Sequence, residues 1–160
     1  MHTTYLLLGA NLGDRITTIQ HARELIQTDI GPVLLQSALY QTAAWGVSAQ
    51  PDYLNQVLKV LTTMEADDVL KATQRIEGHL GRVRREKWGS RVIDVDILYF
   101  DEQVIQTGHL TLPHPFLHER RFTLVPLTEI APDFLHPVLK KTSRQLLNEC
   151  RDTGEVVKFF

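Results

Sequence analysis

The sequence predicts an α+β fold of the ferredoxin-like split βαβ type, an antiparallel sheet with helices on one face. Two observations support this prediction. Segments with strand and helix patterns follow in the order strand, helix, strand, strand, helix, strand. At 160 residues the chain is also about the length of one domain, so we expect a single domain over residues 1–160. A C-terminal hairpin and short helices are expected to follow the sheet.

Short apolar runs bounded by turn residues predict the strands. The four strands of the sheet are Tyr5–Leu8, Val33–Tyr40, Tyr53–Leu61 and Val92–Phe100. A loop with Gly46 and Pro51 joins the second strand to the third. The hairpin is expected over Val104–Leu112, where two short apolar runs flank Gly108.

Apolar residues at helical spacing predict two long helices between these strands. The first has apolar residues at Ile16, Ile19, Ala22 and Ile26, with Asp14 as cap and Gly31-Pro32 as its end. The second begins near Ala66 and ends at Gly81, with an apolar stripe at Val69, Ala72, Ile76 and Leu80. Two short helices are expected at Arg121–Ile130 and Ser143–Cys150.

Composition excludes several classes of protein. With 43% hydrophobic and 22% charged residues the chain is globular rather than disordered or fibrous. The single cysteine, Cys150, has no partner for a disulfide, and no apolar run approaches the ~20 residues that span a bilayer. The N-terminal residues lack a basic region before the apolar run, unlike a signal peptide. We therefore expect a cytoplasmic protein with no membrane partner.

The charge is low overall and concentrated locally. The net charge of −2 does not suit the binding of a long nucleic acid. Residues 82–91 nevertheless carry five cations against Glu86, namely Arg82, Arg84, Arg85, Lys87 and Arg91. A patch of this kind suits a small anion, and a solvated surface loop is the alternative.

Asp94 and Asp96 lie two residues apart in the predicted fourth strand, so both carboxylates point to one face of the sheet. Like charges this close either share a proton or bind a cation, and Mg²⁺ prefers such oxygen ligands. The alternative is that one Asp pairs with a nearby Arg and the other ends the strand. Beside the basic segment, the pair favours phosphoryl transfer.

Two further segments bear on ligands. The residues from Gly9 to Asp14 lack the Gly-Lys-Ser/Thr ending of a Walker A loop, so an ATP site must be of another kind. Tyr53 and Asn55 share a strand face and could form a platform and a hydrogen-bonding amide for a flat heterocycle. An aromatic core residue and a cross-strand polar contact are the alternative.

Residues 87–98, Lys-Trp-Gly-Ser-Arg-Val-Ile-Asp-Val-Asp-Ile-Leu, resemble the signature of the 6-hydroxymethyl-7,8-dihydropterin pyrophosphokinases. Similar residues recur in order along nearly the whole chain, at 8–13, 40, 42, 50–55, 74–77, 81–84, 112–115 and 126–132. The resemblance departs from many relatives at Ala44 and Trp45, which bears on the stiffness of this loop and the shape of the pterin pocket. It also departs at Lys87, where many relatives have arginine, so the charge is kept without the bidentate fork.

The resemblance implies transfer of pyrophosphate from ATP to the pterin hydroxyl, with two Mg²⁺ ions on Asp94 and Asp96. The implied catalytic residues are Asp94, Asp96, Arg82 and Arg91. The implied nucleotide contacts are Gln74, Glu77, Ile97, Thr111, His114 and Arg120, and Arg84 and Trp88 are implied to close over the substrates. The implied pterin site consists of Thr42, Ala43, Tyr53, Asn55, Asp94 and Phe122.

Two other functions share some of these features. A nucleotidyltransferase could use the same carboxylate pair and would release pyrophosphate instead of AMP. A ferredoxin-like RNA-binding module would need an aromatic-rich strand motif, which the sequence lacks. We expect ATP and the pterin as small-molecule partners, no nucleic acid partner, and a monomer.

Overall fold

The fold is that of a computed structural model, which describes residues 1–42, 52–81 and 92–159. Its strands are β1 His2–Ala10, β2 Val33–Gln36, β3 Tyr40–Thr42, β4 Tyr53–Thr62, β5 Asp94–Phe100, β6 Ile105–Gln106, β7 Thr111–Leu112 and β8 Val156–Lys158. Its α-helices are α1 Arg15–Asp29, α2 Ala66–Gly81, α3 Arg121–Ile130 and α4 Ser143–Glu149. A 3-10 turn, Leu117–Glu119, precedes α3.

The main sheet is antiparallel at every described pairing and has the strand order β5-β1-β4-β3-β8, with β2 also pairing to β4. The strands β6 and β7 form the predicted hairpin as a separate small sheet. The α+β class is therefore confirmed. Among the described residues, no helix is long and apolar enough to cross a membrane.

Helices cover both faces of this sheet. On one face α1 and α2 bury the predicted apolar stripes, including Ile19, Ala22, Val69 and Ile76. On the other face α3 and α4 pack against side chains of β1, β4 and β5, and this second core contains Tyr5, Leu7, Val57, Tyr99, Leu124, Leu127 and Leu146. The prediction of helices on one face is thus wrong for the whole molecule, because α3 and α4 carry apolar faces of their own.

The predicted strand Val33–Tyr40 is also wrong as a continuous element, since it divides into β2 and β3. At the break, the Ser37 hydroxyl accepts the Val57 N–H at 3.0 Å in place of a backbone carbonyl. The next N–H, of Ala38, donates to a carboxylate oxygen of Glu129 on α3 at 3.0 Å. These side chains take the hydrogen bonds that a continuous ladder would use.

The predicted helix caps and ends agree well with the structure. The Asp14 carboxylate caps α1, accepting the Thr17 N–H at 3.2 Å. Gly31 follows this helix, and a Cβ at Gly31 would lie 1.9 Å from the Leu61 carbonyl oxygen, so only glycine fits. The fourth predicted strand begins at Asp94 instead of Val92.

The strand β8 was not predicted. It consists of three residues of which two are exposed, so it lacks the alternation that signals a half-buried strand. It pairs with β3, with Val156 opposite Thr42.

His136 stabilises the loop between α3 and α4 and is 4% exposed. Its Nδ1 atom accepts the N–H groups of Val138 at 3.2 Å and Leu139 at 3.0 Å. Burial, together with the nearby charge of His118, lowers the pKa of His136 to about 4. The ring is therefore neutral in the folded protein at neutral pH.

This depressed pKa predicts acid destabilisation between about pH 6.5, the ordinary histidine value, and about pH 4. As the pH falls through this window the unfolded chain binds a proton at His136 that the folded chain does not, so stability is lost. We expect His136→Asn, whose amide oxygen can replace Nδ1 as acceptor, to lower the pH slope of the unfolding free energy by up to about one proton.

Urea unfolding from about pH 7 to about pH 4.5 measures this slope. The exposed His21 supplies the control variant His21→Asn. Equal slopes for His136→Asn and wild type would show that His136 does not resist protonation in the fold.

Candidate active site

A cleft of about 740 Å³ opens on the sheet face that α3 covers. The strands β1, β3, β4 and β5 form its floor, and the 3-10 turn, the start of α3 and the C-terminal segment form its walls. The predicted site residues that line it are Thr42, Tyr53, Asn55, Asp94, Asp96, Arg120 and Phe122. The structure therefore brings seven predicted residues from β3, β4, β5 and the start of α3 to one place.

The register of β1 arranges the floor of the cleft. Gly9 on β1 lies opposite Asp94 on β5 and opposite Asn55 on β4. Since neighbouring strands lie about 4.8 Å apart, the backbones of Asp94 and Asn55 are roughly 10 Å apart across Gly9. A Cβ at Gly9 would lie 2.9 Å from Asn55 Nδ2. Glycine at this position thus keeps the floor open between the carboxylate and the amide.

Asp94 and Asp96 share one face of β5, as predicted. Both are half-buried and line the cleft, whereas Val95 and Ile97 point into the opposite core and are about 5% and 4% exposed. Glu77 on α2 accepts the Val95 N–H at 2.9 Å, so it fixes the peptide between the two carboxylates. The pair is in this way oriented by the strand and by α2.

The carboxylate pair suits Mg²⁺ by its chemistry. The residues that the structure describes contain no group of three or more His, Cys, Asp or Glu side chains that could enclose an ion. Mg²⁺ commonly takes one or two carboxylates and completes its octahedron with phosphate and water oxygens. Two hard oxygen donors at the edge of an open cleft fit that requirement.

The other half of the cleft is aromatic and polar. Tyr53 and Phe122 line it from β4 and α3. The Asn55 side chain is 4% exposed, with Thr42 Oγ1 at 3.4 Å from its Oδ1 and the Leu8 carbonyl at 3.5 Å from its Nδ2. Both distances are at the long end of the hydrogen-bond range, so these bonds are weak. The amide can therefore offer a donor and an acceptor to a planar ligand.

Arg120 brings a positive charge between two aromatic rings. Its guanidinium carbon lies 5.1 Å from the Phe116 ring centroid and 5.5 Å from that of Phe122, within cation–π range. Burial and the Arg120 charge lower the pKa of the neighbouring His114 to about 4. Since His114 Nδ1 accepts the Phe116 N–H at 3.2 Å, the neutral ring carries its proton on Nε2. His114 is therefore a neutral hydrogen-bond donor beside Arg120.

Several predicted residues lie elsewhere in the described structure. Gln74 is exposed on α2 and borders a groove against α1, Ile97 is buried in the core, and Thr111 is exposed on β7. Glu77 contacts the β5 backbone as described above. Ala43, Arg82, Arg84, Trp88 and Arg91 lie outside the described residues. The roles assigned to all these residues stay predictions.

The cleft also contains residues that sequence reasoning missed. Phe116 and Glu119 lie in the sequence between two predicted residues, His114 and Arg120, and this position could have indicated that they line the cleft. Arg151 and Asp152 come some thirty residues later, in a segment without a motif, and no sequence signal marked them.

Solved structures share this fold. The chain aligns with the crystal structure of Plasmodium falciparum HPPK-DHPS with SDX-DHP at a TM-score of 0.74 and 17% identity. The alignment covers 93% of this chain and 43% of the Plasmodium chain. At this identity the likeness establishes the fold.

Sequence comparisons identify the family. A 2-amino-4-hydroxy-6-hydroxymethyldihydropteridine pyrophosphokinase from Aquifex aeolicus is 40% identical over 149 residues, 93% of this chain and 92% of the relative. The enzyme of that name from Methylorubrum extorquens is 40% identical over 96% of this chain and 97% of its own length. Residues 5–132 match the family model described as 7,8-dihydro-6-hydroxymethylpterin-pyrophosphokinase (HPPK). With the carboxylate pair and the aromatic half meeting in one cleft, the chain belongs to the 7,8-dihydro-6-hydroxymethylpterin-pyrophosphokinase family.

Proposed function

We propose that this chain transfers pyrophosphate from ATP to the hydroxyl of 6-hydroxymethyl-7,8-dihydropterin in folate biosynthesis. The pterin oxygen forms a bond to the β-phosphorus, the bond from that phosphorus to the α,β-bridging oxygen breaks, and the hydroxyl loses its proton. The products are AMP and the pterin diphosphate. The observation that carries the proposal is the strand register that places Asp94 and Asn55 on either side of Gly9.

The aromatic half of the cleft is the proposed pterin site. Tyr53 and Phe122 stack on the two faces of the heterocycle, and Asn55 and Thr42 bind its polar edge, helped by backbone groups near Ala43. This division of roles is supported by the shared cleft and by the weak internal bonds of the Asn55 amide.

The basic and carboxylate half is the proposed phosphate site. Arg120 and the neutral His114 donate to the triphosphate, together with Arg82 and Arg91 from the basic segment. Gln74 and Thr111 border the nucleotide with exposed side chains, and Ile97, whose side chain is buried in the core, borders it through its backbone. Glu77 contacts the ribose, and Arg84 and Trp88 close over both substrates. These donors stabilise the charge that develops on the transferred group, which is the main requirement of phosphoryl transfer.

Asp94 and Asp96 would bind two Mg²⁺ ions, which neutralise phosphate charge and orient the transferred group when bound. The chain itself supplies rigid positioning. The β5 backbone and its hydrogen bond to Glu77 fix the carboxylates, and stacking fixes the plane of the pterin, so its hydroxymethyl group can point along the floor toward Asp94.

The proposal extends to the whole chain. Residues 1–160 form one domain, and the strand order β5-β1-β4-β3 with two helices between strands supports a ferredoxin-like arrangement of the central sheet. The protein acts as a cytoplasmic monomer on two small molecules, without nucleic acid or membrane partners.

Product analysis tests the reaction. After incubation with ATP, Mg²⁺ and the hydroxymethyl-dihydropterin, we expect AMP and a pterin diphosphate in equal amounts, because the bond that breaks lies between the α- and β-phosphates. Chromatography with phosphorus NMR separates the possible products. Release of pyrophosphate would instead indicate nucleotidyl transfer, and ADP would indicate transfer of a single phosphoryl group.

The carboxylates are tested by Asp94→Asn and Asp96→Asn. Each variant keeps the side-chain shape and removes a charge that would bind Mg²⁺, so we expect kcat to fall at least about 100-fold with little change in urea stability. Asp133→Asn is the matched control, since Asp133 is an exposed aspartate outside the cleft. Near-normal turnover in both cleft variants would contradict the metal assignment.

Calorimetry of pterin binding and of ATP binding to variants tests whether the two halves of the cleft bind different substrates. We expect Asn55→Ala to weaken pterin binding by about 1–3 kcal/mol and Phe122→Ala by at least about 1 kcal/mol, while binding of ATP alone stays nearly unchanged. Arg120→Ala is expected to weaken ATP binding directly, because its partner is phosphate. If Asn55→Ala weakened ATP as much as pterin, the residue would be acting through the fold.

A further inference from the structure

The C-terminal segment 151–159 connects the start of α3 with β3. At one end, Arg151 and Asp152 line the cleft beside the start of α3. At the other end, β8 pairs with β3, where Val156 lies opposite Thr42, and the Phe159 N–H donates to the Leu39 carbonyl at 2.7 Å. The segment thus spans from the helix that carries Phe122 to the strand that carries Thr42.

The first turn of α3 obtains its cap from this segment. Arg120 occupies the N-cap position with an extended backbone, φ −121° and ψ 112°, and its side chain makes no capping hydrogen bond. The Asp152 Oδ2 atom instead accepts the N–H of Arg121 at 3.0 Å. A carboxylate at a helix N-terminus satisfies an otherwise unpaired N–H and interacts favourably with the helix dipole.

The capping carboxylate is itself oriented at both oxygens. Its Oδ1 atom accepts the Gly154 N–H at 2.9 Å. The Arg121 side chain closes the arrangement, because its Nε donates to the Gly154 carbonyl at 3.2 Å. Three hydrogen bonds therefore join Asp152, Gly154 and Arg121, and they fix the start of α3 relative to the C-terminal segment.

We propose that Asp152 is a positioning residue for the pterin, acting through Phe122. The capped residue, Arg121, immediately precedes Phe122, so a shift of this turn moves the ring of Phe122 relative to Tyr53 across the cleft. Stacking on a flat ligand depends on that separation, whereas the carboxylate pair on β5 lies on another element and stays in place. The inference rests on the proposed function, which puts the pterin between these two rings.

Asp152→Ala removes the cap and Asp152→Asn keeps an oxygen that can accept the Arg121 N–H. For Asp152→Ala we expect the Kd and KM of the pterin to rise about fivefold, the factor that corresponds to loss of a typical N-cap, with little change in kcat or in binding of ATP alone. Asp152→Asn is expected to restore part of the affinity, because its single amide oxygen can accept the Arg121 N–H while the Gly154 N–H loses its acceptor. If Asp152 only stabilised the fold, Asp152→Ala would lower the fraction of active enzyme, and therefore the apparent kcat, while the KM for the pterin stayed unchanged.

The surface variant Asp133→Ala is the matched control, because its carboxylate is exposed and lies 3.5 Å from Arg144 outside the cleft. Asp152→Glu provides a second variant should Asp152→Ala fail to fold. It keeps the charge and moves the carboxylate by one methylene, and we expect the same selective loss of pterin affinity. Wild-type pterin affinity in whichever of these two variants folds overturns the positioning role.

A double-mutant cycle with Phe122→Ala tests whether Asp152 affects pterin binding through the Phe122 ring. If Asp152 acts through the ring, Asp152→Ala has little further effect on pterin affinity once Phe122 is alanine. An equal effect in both backgrounds would mean that Asp152 acts independently of the Phe122 ring, by direct contact with the pterin or through β8 and Thr42, and would overturn the positioning role. If Phe122→Ala alone leaves pterin affinity unchanged, the stacking assignment of the proposed function fails, and this inference fails with it.

Discussion

The register of β1 between β5 and β4 is the constraint on which the site depends. Gly9 has Asp94 on one side and Asn55 on the other, and Leu7 has Asp96 and Val57. A slip by one residue on either side would turn the carboxylates or the amide to the opposite face, into the core beneath α1 and α2. The apolar residues that alternate with them, such as Val95 and Leu54, resist such a slip because they are buried in that core.

Carboxylates that accept backbone N–H groups connect the surrounding elements to this register. Glu77 accepts from Val95 and joins α2 to β5, and Glu129 accepts from Ala38 and joins α3 to the break between β2 and β3. Tyr40 also donates its hydroxyl to Glu129, and burial together with this partner raises the pKa of Tyr40 to about 12. The phenol therefore stays protonated and remains a donor. Such charge-assisted bonds attach helices on both faces to the sheet, and no disulfide contributes.

The second helical layer converts a sheet face into a cleft. Leu124 and Leu127 of α3 pack on Tyr5 and Leu7, which places the start of α3 above the ends of β1 and β4. Arg120 then lies between two aromatic rings, and its charge helps to keep His114 neutral. Among the described lining residues, Arg120 and Arg151 face the four carboxylates of Asp94, Asp96, Glu119 and Asp152, so the cleft carries an excess of negative charge that bound cations would offset.

Local patterns in the sequence were sufficient for the long elements and for the pairing of Asp94 with Asp96 on one face, because periodicity and caps act within a few residues. The motif residues also indicated the family and seven residues of the cleft. Tertiary structure alone decided the division of the second strand, the strand β8, the second helical face and the cap from Asp152. Each depends on hydrogen bonds or packing between residues far apart in the chain, such as Ala38 with Glu129 and Arg121 with Asp152, and no local pattern encodes such pairs.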